Sequence, residues 1–260
     1  MGSHTTLLIT LLIGASSGLS SGMFGIGGAL LATPLLKIFV GLPAVLALAT
    51  PLPAAIPSAI SGTVAYGKKK LLRFDVAWRI LIPAIPGSLI GSYITRFTPG
   101  AVLMIATGVM VIYTAYSFLR RGLRKESVEE ADLEASELTF GPTAYGWFVF
   151  AGFLSGFLAI GGGMVLVPAM VKIVGLSLKQ ALGTSLLCVA ALAVPGVIVH
   201  GLSGHIDWMV ALILSVTVIP MSYLGASIAT RIKSATLSKI YGAVMLAFAV
   251  YFIISSLLER

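Results

Sequence analysis

The chain has 260 residues, of which 58% are hydrophobic and only 10% are charged. A soluble domain carries about 25% charged residues, so no soluble fold could bury this much apolar surface, and lipid must surround most of the chain. The net charge of +8 comes from short basic clusters between apolar runs. That distribution is typical of the cytoplasmic loops of membrane proteins and argues against a nucleic-acid partner.

Cys188 is the only cysteine, so an intramolecular disulfide and a cysteine metal cluster are both excluded. No metal site and no cofactor are predicted. The phosphate-binding pattern Gly-x-x-x-x-Gly-Lys-Ser/Thr is absent, which excludes ATP hydrolysis by this motif. Gly14 to Gly18 matches the Gly-x-Ser-x-Gly pattern of hydrolases, but it lies in an apolar helix and not at a strand-to-helix turn.

The chain repeats itself when Gly18 is aligned with Gly152 and both copies are read forward without gaps. Residues 18–67 and 152–201 then share 17 identities in 50 positions. The best-matched stretch is Ser-Gly-x-x-Gly/Ala-Ile-Gly-Gly, at residues 21–28 and again at 155–162. Beyond it, Asp75 is matched to Asp207 after a shift of two residues. A duplication of one ancestral unit follows.

Each half contains five apolar segments. The second segment has about 12 residues, or about 18 Å as a helix, which is too short for a hydrocarbon core of about 30 Å. It must tilt, thin the bilayer or form the returning arm of a re-entrant hairpin. Prolines are expected to interrupt the third segment, at Pro51, Pro53 and Pro57 in the first half and at Pro195 in the second. The predicted segments are 5–25, 29–40, 43–66, 75–95 and 99–119, then 143–160, 163–174, 177–200, 206–229 and 235–257.

Equivalent loops of the two halves carry different charge. Lys68, Lys69, Lys70 and Arg73 follow the third segment of the first half, whereas the matching loop at 202–205 has no lysine or arginine. Equivalent loops are therefore expected on opposite sides of the membrane, and the two repeats are expected to be inverted.

The predicted fold is an all-α integral membrane protein of two inverted-topology repeats, with helices broken by glycine or proline or folded as re-entrant hairpins. Repeat 1 covers 5–119, a polar cytoplasmic linker covers 120–141, and repeat 2 covers 142–258. Both chain termini are then expected outside a bacterial cytoplasmic membrane. The segment at the N-terminus is interpreted as a retained membrane helix, because its counterpart lies inside the chain.

The doubled glycine motif is the main candidate site. Adjacent glycines weaken a helix by about 1 kcal/mol each, so both copies are expected to break one. A break at membrane depth is tolerated where protein or a water-filled cavity satisfies the backbone, and the helix that starts after it attracts anions. The alternative is that these glycines only permit close helix packing. The predicted substrate-binding residues are Ser21, Gly22, Gly25, Gly27, Gly28, Thr50, Pro51, Ser155, Gly156, Gly161, Gly162, Gly163, Thr184 and Ser185.

Other polar residues have structural explanations as well as functional ones. The hydroxyls of Thr50 and Thr184 could bind an oxyanion or bond back to their own helix. Asp75 and Asp207 are interpreted as helix N-caps, with Asp75 spaced for an ion pair with Arg79. His200 lies in an apolar run, where it is either a packed side chain or a proton relay.

The two copies of Ser-Gly-x-x-Gly/Ala-Ile-Gly-Gly, each followed by a proline (Pro34 and Pro168), resemble the TauE/SafE family of sulfite exporters. The resemblance covers nearly the whole chain and implies transport of sulfite, sulfonates or related sulfur-containing anions, with taurine-related compounds and sulfoacetate among the candidates. Substrate, direction, coupling ion (possibly a proton) and oligomeric state stay open.

The function predicted here is a secondary transporter that works by alternating access, with no enzymatic activity. An anion channel of the same architecture is the main alternative, because it would need the same fold and the same site. An intramembrane serine protease that uses Ser155 and His200 is the rival from another class, although such a site would not need two glycine breaks.

Overall fold

The computed structural model describes residues 3–123 and 140–247, apart from positions 238, 241 and 245. The regular elements within this part of the chain are all helical, because nearly every stretch is apolar and must satisfy its own backbone hydrogen bonds. The α-helices are α1 Ser3–Phe24, α2 Ala29–Leu35, α3 Ala44–Ala49, α4 Pro51–Gly67, α5 Phe74–Thr95, α6 Gly100–Leu123, α7 Pro142–Phe157, α8 Gly163–Ala169, α9 Leu178–Leu202 and α10 Trp208–Arg231.

Helices long and apolar enough to cross a membrane confirm the prediction of a multi-pass membrane protein. Five stretches of the described chain meet these requirements of length and composition. Their outward faces carry large apolar side chains such as Leu12, Ile82 and Leu212, as lipid contact requires. The five stretches are His4–Phe24, Ala44–Gly67, Phe74–Thr95, Leu178–Leu202 and Trp208–Arg231.

The short second segment of each half is a helical arm that changes its winding part-way. In the first half, α2 continues as a π-helix over Leu36–Val40, and in the second half α8 continues as a π-helix over Met170–Val174. The π-helical end of the first arm packs against α1 again, so α1 and this arm form a hairpin. This geometry favours the returning-arm interpretation of the short segment.

The backbone itself follows the sequence repeat. Every residue with a positive φ in the described chain has an equivalent in the other half that also has a positive φ. The pairs include two in which only one member is glycine, so the fold and not the residue type imposes the conformation. They are Gly25 and Ala159, Gly27 and Gly161, Gly28 and Gly162, Gly41 and Gly175, and Lys70 and Gly204.

The most extensive helix contacts in the described chain join a helix of one half to a helix of the other half. Helix α1 packs against α10 of the other half, and its counterpart α7 packs against α5. Gly22 lies against the backbone of Ser222, and Gly156 lies in the same way against Ser88, with no room for a Cβ atom at either glycine. Small residues therefore allow the close helix approach that is common in membranes.

Helices α4 and α9, which are equivalent in the two halves, run antiparallel at the centre. Tyr66 near the end of α4 faces Gly183 near the start of α9, and Leu52 near the start of α4 faces Gly196. The two halves therefore pack against each other through equivalent helices that run in opposite directions.

Three local predictions are wrong. Pro53 and Pro57 do not interrupt α4, and Pro195 does not interrupt α9, because both helices continue through these prolines. Asp75 is not an N-cap, since α5 begins after Arg73, and its partner is Arg73 at 2.8 Å and not Arg79. Arg73 is thus the structural counterpart of Asp207, without the two-residue shift.

Other predicted features fall outside the described residues. These are most of the linker at 120–141 and much of the last segment at 235–257, although α6 extends to Leu123. Asp207 is an N-cap as predicted, because its Oδ1 accepts a hydrogen bond from the backbone N–H of Val210 at 3.0 Å.

Candidate functional site

The two glycine breaks have the same left-handed backbone. Gly27 and Gly28 have φ angles of +83° and +70°, and Gly161 and Gly162 have +74° and +77°. A residue with a side chain would destabilise the fold by about 1–2 kcal/mol in this conformation, which is why glycine occupies these positions. The chain leaves α1 and α7 here and starts the helical arms immediately afterwards, as the sequence predicts.

The two breaks lie next to each other, against the same residue of α9. A Cβ atom added at Gly27 would be 2.6 Å from Cγ1 of Val189, and one added at Gly161 would be 2.9 Å from the same atom. Gly163 has no room for a side chain because the carbonyl oxygen of Gly25 lies against it. One contact region therefore contains both motifs.

A small cavity, with room for about one water molecule, lies at the first break. Its wall comes from α1, the start of the first arm, the first turns of α4, and α10 of the second half. The residues that line it are Ser17, Gly27, Gly28, Ala29, Ala32, Pro51, Ala54, Ala55, Ser58, Leu214 and Val218. Three predicted site residues, Gly27, Gly28 and Pro51, are among them.

The equivalent position in the second half carries larger or less polar side chains. In the alignment of the two halves, Ser17 corresponds to Ala151, and Ser58 corresponds to Leu192. Ala55 corresponds to Val189, the residue that fills the space between the breaks. The polar cavity thus belongs to the first break, although α10 of the second half closes it.

Two buried hydroxyl groups lie in the wall of this cavity. Ser58 donates from its Oγ to Oγ of Ser21 at 3.1 Å, and Ser17 donates to the carbonyl oxygen of Gly14 at 3.2 Å. Ser155, the counterpart of Ser21, lies beside Gly162, but its Oγ has no partner within the described chain. Buried hydroxyls without partners are rare, so this one marks a place for a bound molecule or water.

The electrostatics of the cavity come from dipoles and not from charged side chains. Its lining contains no Asp, Glu, Lys or Arg. The first N–H groups of a helix have no partner within it, and they give the start of the arm Ala29–Val40 a partial positive charge. In a low-dielectric interior this arrangement favours a small anion over a cation.

Several predicted site residues have structural partners instead of facing the cavity. Thr50 accepts a hydrogen bond from the N–H of Asp207, and Thr184 accepts one from the N–H of Arg73. Both bonds join the halves, an outcome that neither the oxyanion interpretation nor the own-helix interpretation anticipated. Ser185 donates to the carbonyl oxygen of Gly25 at 2.9 Å and so fastens α9 to the first break.

His200 is fully buried near the end of α9, and its ring lies next to the backbone of Gly156. Its Nδ1 is 3.4 Å from Nδ1 of His205. Neither Nε2 of His200 nor Oγ of Ser155 has a hydrogen-bond partner in the described part of the chain. They therefore do not form the bonded nucleophile and base pair that a serine protease needs.

Ser17, Ser58, Leu214 and Val218 line the cavity, although sequence reasoning did not select them. A signal for the two serines exists in the repeat, because each is polar where its counterpart, Ala151 or Leu192, is apolar. The α10 residues had no such signal, since only the exchange of helices between halves brings them to the first break.

Comparison with known proteins decides the family. The sequence pattern of the family described as "Sulfite exporter TauE/SafE" matches residues 10–252 of the chain. The chain belongs to the TauE/SafE family. The earlier resemblance is thereby confirmed, and membrane transport becomes the general activity of the group to which the chain belongs.

Relatives of this TauE/SafE protein are named as transporters. A "Probable membrane transporter protein" of Xylella fastidiosa is 27% identical over 251 residues, which cover 95% of each chain. The "Probable membrane transporter protein YunE" of Bacillus subtilis is 26% identical over 263 residues, covering 93% of this chain and 95% of the relative. The "Probable membrane transporter protein MJ0441" of Methanocaldococcus jannaschii is 27% identical, and the match covers 87% of this chain and 88% of the relative. No solved structure matches the chain.

Proposed function

We propose that this TauE/SafE protein is a secondary transporter of small sulfur-containing anions, such as sulfite or a short sulfonate, across the bacterial cytoplasmic membrane. One observation carries the proposal: a cavity at the start of a helical arm, lined by Gly27, Gly28 and buried serines, with no carboxylate in its wall. The family description, which names sulfite exporters, supports the substrate class.

The cavity is small. In this structure it has room for about one water molecule, so a sulfite or sulfonate group would enter it when rocking of the halves moves its walls apart. The N–H groups at the start of the arm Ala29–Val40 would donate to its oxygens, and the hydroxyls of Ser17 and Ser58 would rotate to donate as well.

The proposed mechanism is alternating access between inverted repeats. The antiparallel packing of α4 and α9 and the exchange of helices between halves support this topology. Rocking of one half against the other would open the cavity to one side at a time. In this arrangement the 120–141 linker is cytoplasmic and both termini are outside.

Binding measurements on the purified protein test the cavity. Sulfite, thiosulfate, sulfate, taurine and sulfoacetate would be compared by calorimetry. Ser58→Leu introduces the residue that the second half has at this position, so it should fill the cavity and weaken binding at least about tenfold. Ser61→Leu, the same change on the same helix outside the cavity lining, is the matched control. If folded Ser58→Leu binds as the wild type does, the anion site lies elsewhere.

Counterflow in proteoliposomes separates a carrier from a channel of the same architecture. A carrier loaded with unlabelled sulfoacetate should accumulate labelled sulfoacetate transiently, because each binding event is followed by exchange across the membrane. A channel only lets the label equilibrate. Absence of counterflow alongside measurable flux would replace the carrier mechanism with the channel.

Labelling of loops tests the inverted topology. Cysteines placed at Lys69 or Ser203, in a Cys188→Ala background, should react with an impermeant reagent from opposite sides of the membrane. Labelling of both positions from the same side would end the inverted-repeat interpretation.

A further inference from the structure

The two halves differ most in the polar groups at one pair of equivalent positions. Tyr66 on α4 donates from its hydroxyl to the carbonyl oxygen of Gly22 at 3.2 Å. The equivalent residue on α9 is His200, which lies against the equivalent glycine, Gly156, with its Nε2 unpartnered in the described chain. The first half therefore has a phenol hydroxyl that donates to a glycine carbonyl, where the second half has an imidazole nitrogen beside the equivalent glycine backbone.

His200 is also connected to the surface. Its Nδ1 lies 3.4 Å from Nδ1 of His205, which is partly exposed in the loop between α9 and α10. Two Nδ1 atoms at this distance need one proton between them, since one ring must donate and the other must accept. The pair joins the solvent at the loop to a position buried beside α7.

Two further unpartnered polar atoms, one from each half, lie close to α9 or to the second break. Within the described chain, the buried Oγ atoms of Ser92 and Ser155 have no hydrogen-bond partner. Ser92 is near Gly196, one helical turn before His200, and Ser155 is adjacent to Gly156 and faces Gly162 at the second break. Their counterparts are the apolar Ala226 and the hydrogen-bonded Ser21. Thr63 Oγ1 on α4 is likewise buried and unpartnered in the described chain, so such atoms occur in both halves, and those near His200 are places where water can bind.

We propose that His205 and His200 form a proton relay that couples anion transport to a proton gradient. The inference rests on the proposed transport function and names its coupling ion. A proton from water binds Nε2 of His205, and the proton on Nδ1 of His205 moves to Nδ1 of His200. The N–H bond of His205 breaks as that of His200 forms, so His200 becomes a cation whose Nε2–H faces α7. Release of the Nε2 proton to water near Ser155 leaves His200 neutral with its proton on Nδ1, and reorientation of both rings restores the starting tautomers.

The charged neighbours of the pair are Arg96 at the end of α5 and Asp207 at the start of α10, while α7 contributes the neutral backbone of Gly156 and the hydroxyl of Ser155. Partial burial, and then the positive charge of Arg96, lower the pKa of His205 below its ordinary value. A cation at His200 would attract an anion towards the breaks.

Transport driven by a proton gradient tests the relay. Proteoliposomes would contain a pH-sensitive dye and be supplied with sulfoacetate. His200→Tyr copies the first half and can donate to Gly156 as Tyr66 does to Gly22, so the fold should persist. We expect His200→Tyr and His200→Gln to keep counterflow but to lose gradient-driven accumulation by at least about tenfold. A folded His200→Gln protein that still accumulates sulfoacetate in response to the gradient would overturn the relay.

A second measurement does not depend on any substrate. Nitrogen NMR of ¹⁵N-histidine-labelled protein in nanodiscs reports the protonation of both rings from about pH 4 to about pH 8. Both rings should change protonation in a coupled way, and His205→Gln should alter the titration of His200. If the wild type moves none of the tested anions, the transport proposal fails while this measurement still decides the relay. A His200 ring that stays in one protonation state and ignores His205→Gln rules it out.

Discussion

Thr50 accepts a hydrogen bond at 3.0 Å from the backbone N–H of Asp207, a residue of the other half of the chain. Thr184 makes the equivalent bond to the N–H of Arg73 at 3.1 Å. Each threonine thus accepts a hydrogen bond from the N-cap residue of the fourth segment of the opposite repeat, which is helix α10 for Thr50 and helix α5 for Thr184. Since the two threonines are equivalent in the repeat, the same interaction is made once from each half, and both halves use it to hold each other.

Loss of either threonine acceptor should reduce stability. Thr50→Val and Thr184→Val keep the side-chain volume but leave a partly buried N–H without a partner, which should cost about 1–3 kcal/mol. Thr50→Ser and Thr184→Ser retain the oxygen and serve as controls. Thermal unfolding in detergent measures the effect, and equal melting temperatures for the valine and serine variants would contradict it.

The glycine breaks should tolerate no side chain. Gly28→Leu and Gly162→Leu place a side chain on a left-handed backbone, and the second also crowds Ser155, whose Cβ would be 2.9 Å from the new Cβ. Anion binding should fall at least about tenfold, because the start of the arm shifts or is covered.

Gly146→Leu is the control for these variants, since nothing lies within 4 Å of a Cβ at that position. Calorimetry on correctly folded protein measures affinity. Wild-type affinity in both break variants would mean that these glycines serve packing alone.

The substitution Ala159→Gly should increase the stability of the protein. It has a φ of +52° and corresponds to Gly25, so it bears a left-handed strain that its counterpart does not. Removal of about 1–2 kcal/mol of strain exceeds the entropy cost of glycine, which leaves a gain of about 0.5–1 kcal/mol for Ala159→Gly. Ala106→Gly, within regular helix α6, should lose stability instead. A lower melting temperature for Ala159→Gly would show that no strain is relieved.

Stability should rise with pH through the region just below the ordinary pKa of histidine. Because the folded protein lowers the pKa of His205, the unfolded chain binds more protons in that region. The stabilisation is complete above the unfolded pKa and is lost as pH falls through the folded one. Melting temperatures measured across this range should depend less on pH in His205→Gln than in the wild type. An unchanged pH dependence would contradict the contribution of His205.

Much of the fold could be predicted from the sequence, because glycine pairs and long apolar runs determine the structure of their own segments. Gly27 and Gly28 break a helix wherever they occur, and their repetition at Gly161 and Gly162 identified the two units. The start of α5 could not be located as well, since Asp75 looks like a cap but Arg73 holds that position through its bond to Thr184.

The location of the cavity needed three-dimensional information. Both halves carry the same glycine motif, so the sequence indicated two equivalent sites. The difference depends on side chains that are distant in the chain, such as Ser58 on α4 and Val218 on α10, which meet only after the halves exchange helices. A comparison of equivalent positions in the two halves would have found Ser58, because its counterpart is Leu192.

The exchange of helices between halves has a consequence for biosynthesis. Helix α1 leaves the ribosome well before α10, the helix that covers its glycine face, which begins only at Trp208. During that interval Gly14, Gly18 and Gly22 have no native partner to pack against. The first half therefore cannot complete its packing alone, and the glycine face of α1 contacts lipid or non-native neighbours until α10 has inserted.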